Sequence, residues 1–394
     1  MESTVLKLNP FLVYFLDAMR NPKQIAIVHD WLISMRGGEK VLEVLCELFP
    51  EATLFTLVHR DGSLSASIER MKITTSFIQN MPFGRNHYRH FLPLYPTAVR
   101  QFDLRDFDLV ISSSHAAAKG VRVRKDALHI CYCHTPMRYI WDQYEEYFGN
   151  GRASPLVRSA MKLFLGSLRR WDVETAEGVD YFIANSCNVQ ERIMRIYGRE
   201  SIVIHPPVDV NRFFTSNKDD GYFLIVSALV PYKRTDVAVE AFNRLGEKLI
   251  IIGTGSERKK LQSLAKSNIE FRGWVGDEEL PSYYAGCRAL VFPGVEDFGI
   301  VPVEAMASGK PVIAYALGGA LETVVEGTTG IFFREQNAMS LEQAIKELAK
   351  GNFCPDIIRQ HTLQFDRQIF KERMQCFIQE KWDVFSHKGV ETVS

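Results

Sequence analysis

The sequence predicts an α/β protein of two doubly wound domains, each a parallel sheet covered by helices, and three observations lead there. Its 394 residues are long for one globular unit and suit two domains with separate cores. From Tyr222 onward, short β-branched or apolar runs alternate with amphipathic segments, the pattern of strands buried beneath helices. The first 204 residues repeat that alternation less regularly.

In the N-terminal half the strand candidates are 24–29, 109–113, 128–133, 181–185 and 201–204, and Gly37 and Gly38 open a helix that ends near Phe49. Pro206 and Pro207 follow the last of these strands, and the polar segment 211–221 reads as a linker. The C-terminal strand candidates are 222–229, 249–253, 269–273, 289–293, 311–315 and 330–333. Between them, the segment 236–245 places Val237, Ala238, Ala241, Phe242 and Leu245 on one helical face. Asp277 is expected to cap a helix opened by Glu278 and Glu279. Gly309 sits where a helix starting near Gly299 needs a left-handed residue just past its end. The expectation is therefore two Rossmann-like domains, 1–204 and 205–365, with a cleft between them. A closing helix in 366–394, at about 366–386, would cross back toward the first domain.

Charge is balanced, 47 Lys+Arg against 47 Asp+Glu, so no global excess points to nucleic acid. The basic character is local, concentrated in 60–125 with Arg70, Lys72, Arg85, Arg89, Arg100, Arg105, Lys119, Arg122, Arg124 and Lys125. Seven cysteines without a CxxC pair fit a reduced, cytoplasmic protein better than a disulfide framework. The apolar run 11–16 is far shorter than the roughly 20 residues a membrane span needs, so neither a spanning segment nor a signal peptide is expected.

The most informative stretch is Glu296-Asp-Phe-Gly-Ile-Val-Pro-Val-Glu304, followed by Gly309-Lys-Pro311. It runs from a strand end through a loop into a helix, where open α/β sheets bind ligands. Glu296 projects from the loop as an acceptor for sugar hydroxyls. Glu304 lies about one turn past helix-terminal N–H groups that can meet phosphate or hydroxyl oxygens. Gly37 and Gly38, without a Cβ, let backbone approach a phosphate or sugar closely. Gly253-Thr-Gly255 lacks the third glycine of a dinucleotide fingerprint and fits a strand-to-helix turn beside a diphosphate. Asp106-Phe-Asp108 looks like a metal clamp but immediately precedes an apolar strand, and Cys131, Cys133 and His134 lack a second ligand pair. No metal or other cofactor is expected.

Two glutamates separated by seven residues and followed by Gly-x-Pro make the chain resemble the family-four retaining glycosyltransferases of GT-B architecture. Leu229-Val-Pro-Tyr-Lys233, Ile251-Ile-Gly-Thr-Gly255, Phe271-Arg-Gly-Trp-Val275, Gly318-Gly-Ala-Leu-Glu322 and Gly327-Thr-Thr-Gly330 are similar to that family in the same order. Cys133-His-Thr-Pro-Met-Arg-Tyr-Ile-Trp141 resembles a subgroup with mannosyltransferases of surface-polysaccharide assembly. The resemblance implies transfer of a hexose, best guessed as mannose from GDP-mannose, to a saccharide or lipid-linked saccharide acceptor. By position it makes Glu296 the donor-sugar contact, Glu304 the acceptor of ribose hydroxyls, Lys233 the cation on the diphosphate and His134 a contact to the transferred sugar. Gly255, Trp274, Val275, Phe298, Gly299 and Ile300 join them as donor-binding positions.

One departure matters. Many members have an arginine five residues before the lysine, and this chain has Ala228 there. Arg234 is the candidate replacement, the alternative being a solvated residue at a helix start. The basic, amphipathic segment 152–171 carries Leu156, Val157, Met161, Phe164, Leu165 and Leu168 beside Arg158, Lys162, Arg169 and Arg170. It is either a core-packed surface helix or a face for peripheral contact with anionic lipid, which would place the protein at the inner face of the membrane. The rival functions are a nucleotide-sugar 2-epimerase, which shares the architecture, and a catalytically silent sugar-nucleotide-binding protein.

Overall fold

The computed structural model describes residues 22–142, 144 and 155–391; the apolar run 11–16 and residues 152–154 lie outside them. Among the described residues the first sheet comprises β1 (Ile25–His29), β2 (Thr53–Thr56), β3 (Lys72–Thr75), β4 (Leu109–Ser114), β5 (Leu128–Cys133), β6 (Tyr181–Ala184) and β7 (Ser201–Val203). The second comprises β8 (Tyr222–Val226), β9 (Lys248–Ile252), β10 (Ile269–Gly273), β11 (Ala289–Phe292), β12 (Val312–Tyr315) and β13 (Gly330–Phe333). The strand orders are β3-β2-β1-β4-β5-β6-β7 and β10-β9-β8-β11-β12-β13, and the pairings within both sheets are parallel. Each order reverses once, between β1 and β4 and between β8 and β11. Those reversals are the topological switch points at which such sheets open a crevice beyond their strand ends.

The six expected C-terminal strands are all present to within a few residues. In the N-terminal half β2 and β3 were missed. Thr53-Leu-Phe-Thr56 and Lys72-Ile-Thr-Thr75 are four residues each, too short and too threonine-rich to register as apolar runs, and β3 is a half-exposed edge. The principal helices are α1 (Gly37–Leu48), α2 (Pro155–Glu174), α3 (Cys187–Tyr197), α4 (Thr235–Leu245), α5 (Ile300–Ala307) and α6 (Arg367–Glu391). Gly309 adopts the left-handed φ of +73° expected beyond α5. The helix expected at Asp277 begins at Leu280 instead, with Glu279 at its cap position and no side-chain cap bond. Nor is 211–221 a free tether: Phe213 is buried, its ring meets Tyr284 at 5.6 Å, and its carbonyl accepts from Arg359.

Alternate strand residues feed opposite layers of each domain. In the first, Ala26, Val28 and Val110 face a layer that includes Tyr95, Val99, Met161 and Trp171. Ile27, Leu54, Ile111 and Ile130 face α1 through Val41, Leu42, Val44 and Leu45. That second layer also takes Phe370, Met374, Phe377, Ile378 and Trp382 of α6, spaced as one helical stripe. The helix is thus part of the first core although it follows the second sheet in sequence. Its entry is tied down by Arg367, whose guanidinium grips both carboxylate oxygens of Glu47 in α1 at 3.0 and 2.6 Å and holds that carboxyl below its usual range.

His129, 1% exposed within β5, lies between Ser112 Oγ at 2.9 Å and the Gly178 carbonyl at 3.2 Å. Burial pushes its pKa down to about 4. Below pH 6.5 the unfolded chain binds a proton that folded His129 refuses until about pH 4, so stability falls on acidification through that window, by about 1.4 kcal/mol per pH unit. Thermal melts of the wild type and His129→Gln between pH 7 and 4.5 should therefore converge as pH falls. Parallel losses in the two proteins would remove His129 as a source of acid sensitivity.

Candidate active site

The C-terminal ends of β1 and β4 face those of β8 and β11 across a cleft of about 530 Å³. Of the residues singled out in the sequence, Gly37, Gly38, His134, Lys233, Glu296, Phe298, Gly299, Ile300 and Glu304 all line it. Arg234, Gly255, Trp274 and Val275 do not.

On the second-domain side, Gly299 adopts a φ of +93° that ordinary residues rarely tolerate. It turns the chain from the Glu296 loop into α5, whose first residue is Ile300. Glu304 follows one turn later, 8% exposed, and Tyr284 Oη donates to its Oε2 at 2.8 Å. Burial raises the Glu304 pKa, while Lys40 of the first domain and the Tyr284 bond oppose that rise. Sequence reading had no signal for Tyr284, which sits in a neighbouring short helix without a motif.

Lys233 ends a short turn, Pro231–Lys233, and its ammonium is ion-paired with Glu296. The cation and the carboxylate assigned to diphosphate and sugar hold each other in this state. A Cβ at Gly294 would lie 2.9 Å from Lys233 Cα, and one at Gly255 would lie 2.2 Å from the Leu229 carbonyl oxygen. Gly255 therefore serves the site indirectly, by letting the Lys233 loop pack down.

Arg234 is engaged outside the cleft. Its guanidinium is held by Asp236 at 3.2–3.4 Å and by Gln336 Oε1 at 2.9 Å, and its backbone is left-handed, φ +50°. Trp274 and Val275 follow β10, the edge strand farthest from the switch point in its half of the sheet. The Trp274 side chain is 78% exposed, and Val275 packs on the domain core.

On the first-domain side, His134 Nε2 meets Ser113 Oγ at 2.8 Å and Ser113 Oγ meets His29 Nδ1 at 3.0 Å. His29 Nε2 lies 3.7 Å from Glu39 of α1. Although burial opposes it, the neighbouring His29 imidazole holds the Glu39 carboxyl below its usual range. His115 joins through Asp30, 3.1 Å from its Nδ1, and Asp30 accepts the backbone N–H groups of His115, Ala116, Ala117 and Ala118 at 2.6–2.9 Å. Burial, and then the neighbouring rings of His115 and His29, push the His134 pKa well down, although the ring keeps a partly open edge. His134 is thus a neutral hydrogen-bonding group near pH 7. His29, Asp30, Ser113 and His115 were absent from the sequence reading. Their signal was position, since each stands at or just beyond the C-terminal end of β1 or β4.

The domains meet through specific polar contacts. Asp297 is paired with Arg138 and, at 2.9 Å, with Arg192 of α3. Glu322 accepts from the backbone N–H groups of Cys187 and Asn188 at 2.7 and 3.0 Å, neutralising the start of α3. His205 stacks on Phe298 with centroids 5.2 Å apart, fixing the residue before Gly299.

Asp108 accepts from the backbone of Lys23 and Gln24 and pairs with Arg124, which is structural work. Among the described residues no cluster of His, Cys, Asp and Glu is arranged to hold a metal ion.

Two family models match the chain in succession: Glycosyltransferase Family 4 over residues 35–212 and Glycosyl transferases group 1 over residues 209–362. An uncharacterized glycosyltransferase of Methanocaldococcus jannaschii is 29% identical over 213 residues, 52% of this chain and 60% of that protein. A GDP-mannose-dependent alpha-(1-6)-phosphatidylinositol monomannoside mannosyltransferase of Mycobacterium tuberculosis is 34% identical over 141 residues, 31% of this chain and 37% of that protein. The matched part thus spans less than two thirds of these relatives. Anabaena HepE, solved in complex with UDP, superposes with a TM-score of 0.66 at 19% identity, over 91% of this chain and all of that one. Sucrose-phosphate synthase from Thermosynechococcus elongatus gives a TM-score of 0.70 at 17% identity, covering 92% of this chain and 100% of that one. With successive models covering residues 35 to 362 and two facing parallel sheets in the matching architecture, the chain belongs to the family-four glycosyltransferases of the GT-B fold.

Proposed function

We propose that the protein transfers mannose from GDP-mannose, with retention, to a saccharide or lipid-linked saccharide acceptor. The observation that carries the transferase reading is the convergence of Glu304, the Lys233–Glu296 pair and His134 on one interdomain cleft. Its volume lies within the range of small-molecule sites. The choice of donor is supported by the printed activity of the mycobacterial relative and by the Cys133–Trp141 motif. In this reading Glu304 accepts the ribose hydroxyls, and a diphosphate beside the start of α5 draws Lys233 away from Glu296. That single exchange puts the ammonium on phosphate and frees the carboxylate for sugar hydroxyls. As the bond from the anomeric carbon to the phosphate oxygen breaks, negative charge grows on the phosphate. Lys233 and the α5 N–H groups then stabilise the transition state more than the ground state. The acceptor oxygen attacks from the same face and its proton passes to the leaving phosphate. His134 contributes a neutral hydrogen bond to the sugar. The mechanism assigns no step to a metal or other cofactor, and the domains close to exclude water.

Incubation with GDP-mannose and a panel of UDP- and ADP-sugars, with and without acceptor, separates transfer from epimer formation and from mere binding. Glu304→Ala should weaken GDP binding about 10- to 100-fold, the loss of charge-assisted bonds worth about 1.5–3 kcal/mol. Glu296→Ala should lower turnover with GDP affinity near wild type, and Lys233→Ala should lower kcat/KM by roughly two orders of magnitude. Unchanged GDP affinity in Glu304→Ala, or equal affinity losses in both glutamate variants, would sink this division of roles.

We also infer that α2 rests on anionic membrane at the cytoplasmic face. No described helix is long and apolar enough to cross a bilayer. Leu163 is 78% and Phe164 42% exposed, and Lys162 and Arg170 are exposed beside them. The helix packs beside the turn Tyr88–Leu94, preceded by Phe83, which is 75% exposed. Two nearby cations are engaged within the fold. Arg169 donates to the Ile140 carbonyl at 2.7 Å and lies over Trp141, and Lys119 is buried against Asp172. Wild-type protein should sediment with phosphatidylglycerol vesicles at low salt, and Lys162→Glu/Arg170→Glu should release it without a change in melting temperature. A wild type that ignores such vesicles would dispose of the idea.

A further inference from the structure

Arg234 is engaged elsewhere and Ala228 carries no charge, so the second domain offers the donor diphosphate one lysine from the Ala228–Arg234 loop. We propose that the second cation comes from the opposite domain: Arg36, at the entrance to α1, binds the donor diphosphate across the cleft in place of the arginine missing at Ala228. This rests on the nucleotide-sugar reading above.

Arg36 and Ala228 line the same cleft. Arg36 directly precedes Gly37, and a Cβ on Gly37 would stand 3.0 Å from Ile300 Cδ1, the side chain of the first residue of α5. The N-termini of α1 and α5 therefore meet, and neither has a side-chain cap bond. Two positive helix ends converge on the place where the proposed chemistry puts a diphosphate. Arg36 has extended backbone, φ −141° and ψ −170°, is exposed, and has no ion pair with a carboxylate among the described residues. Its charge is felt at Tyr232, next to Lys233: burial and then Glu296 raise the Tyr232 pKa, while Arg138 and Arg36 oppose the rise.

The other cations that line the cleft beside Arg36 and Lys233 have partners of their own. Arg89 lies over the Tyr88 ring, 5.4 Å from its centroid, Arg138 is paired with Asp297, and Lys40 acts on Glu304, at the proposed ribose end. A guanidinium can span two phosphate oxygens where an ammonium acts as a compact charge, so Arg36 and Lys233 are complementary. Because they belong to different domains, full neutralisation of the leaving diphosphate requires the closed cleft. Donor activation is thereby coupled to exclusion of water.

Calorimetric titration of the full chain with GDP and with guanosine, or with UDP and uridine where the wild type prefers them, tests the proposal. Arg36→Ala should weaken the diphosphate about 30-fold and the nucleoside less than about twofold. Arg36→Lys should lie between, Ala228→Arg should restore the diphosphate affinity of Arg36→Ala, and Arg234→Ala should stay within about twofold of wild type. Wild-type diphosphate affinity in Arg36→Ala overturns the proposal and leaves the transferase reading standing. Equal losses for nucleoside and diphosphate also overturn it, since a phosphate contact cannot produce them. A wild type that binds no nucleoside diphosphate fells the transferase reading, and the role of Arg36 with it.

Discussion

Burial of one face of α6 against the first domain holds the site together. Phe370, Met374, Phe377, Ile378 and Trp382 are each at most 8% exposed, and side chains of this size contribute about 1.5–3 kcal/mol apiece as an upper estimate. The segment leading into α6 is anchored beside the second domain through bonds between Val208 and both Phe365 and Arg367. A chain anchored at both ends across the junction restricts how far the two sheets can separate. The cross-domain contacts that shape the cleft, Asp297 with Arg138 and Arg192 and Glu322 with the start of α3, are polar and small. They orient domains that the apolar contact has already brought together.

Within that frame the cleft stores its charges in pairs. The Lys233–Glu296 ion pair gives each half-buried charge a partner while keeping both groups in reach of a ligand. Glu304 is treated differently: deep burial raises its pKa, and one tyrosine hydroxyl and a distant lysine keep it serviceable as an acceptor. His134 is kept uncharged by burial and neighbouring imidazoles, so electrostatic work falls to the cations and the two helix ends. The serine between His134 and His29 fixes ring orientation in the way that partners beyond a reacting group usually do.

Much of the fold was legible because parallel strands buried on both faces read as uninterrupted apolar runs. The six strands of the second sheet were visible for that reason. The segments Thr53–Thr56 and Lys72–Thr75 were not, since four residues that begin or end in threonine and lysine give too short an apolar run, and such strands owe their existence to the neighbours they pair with more than to their own composition. The Glu296–Glu304 spacing likewise announced a site, because a strand end, a loop and a helix start are local features with fixed geometry.

Partnership was beyond local reading. That Arg234 turns to Asp236 and Gln336, that Trp274 stands out in solvent, and that Tyr284 reaches Glu304 all depend on distances between segments far apart in the chain. The same holds for the meeting of Gly37 with Ile300, on which the charge balance of the cleft turns. The sequence by itself determined the alternation of strands and helices and the residue types at the strand ends, because both follow from neighbours a few positions apart. Only the tertiary structure decided which of those residues face one another, because side-chain pairing is set by packing between domains.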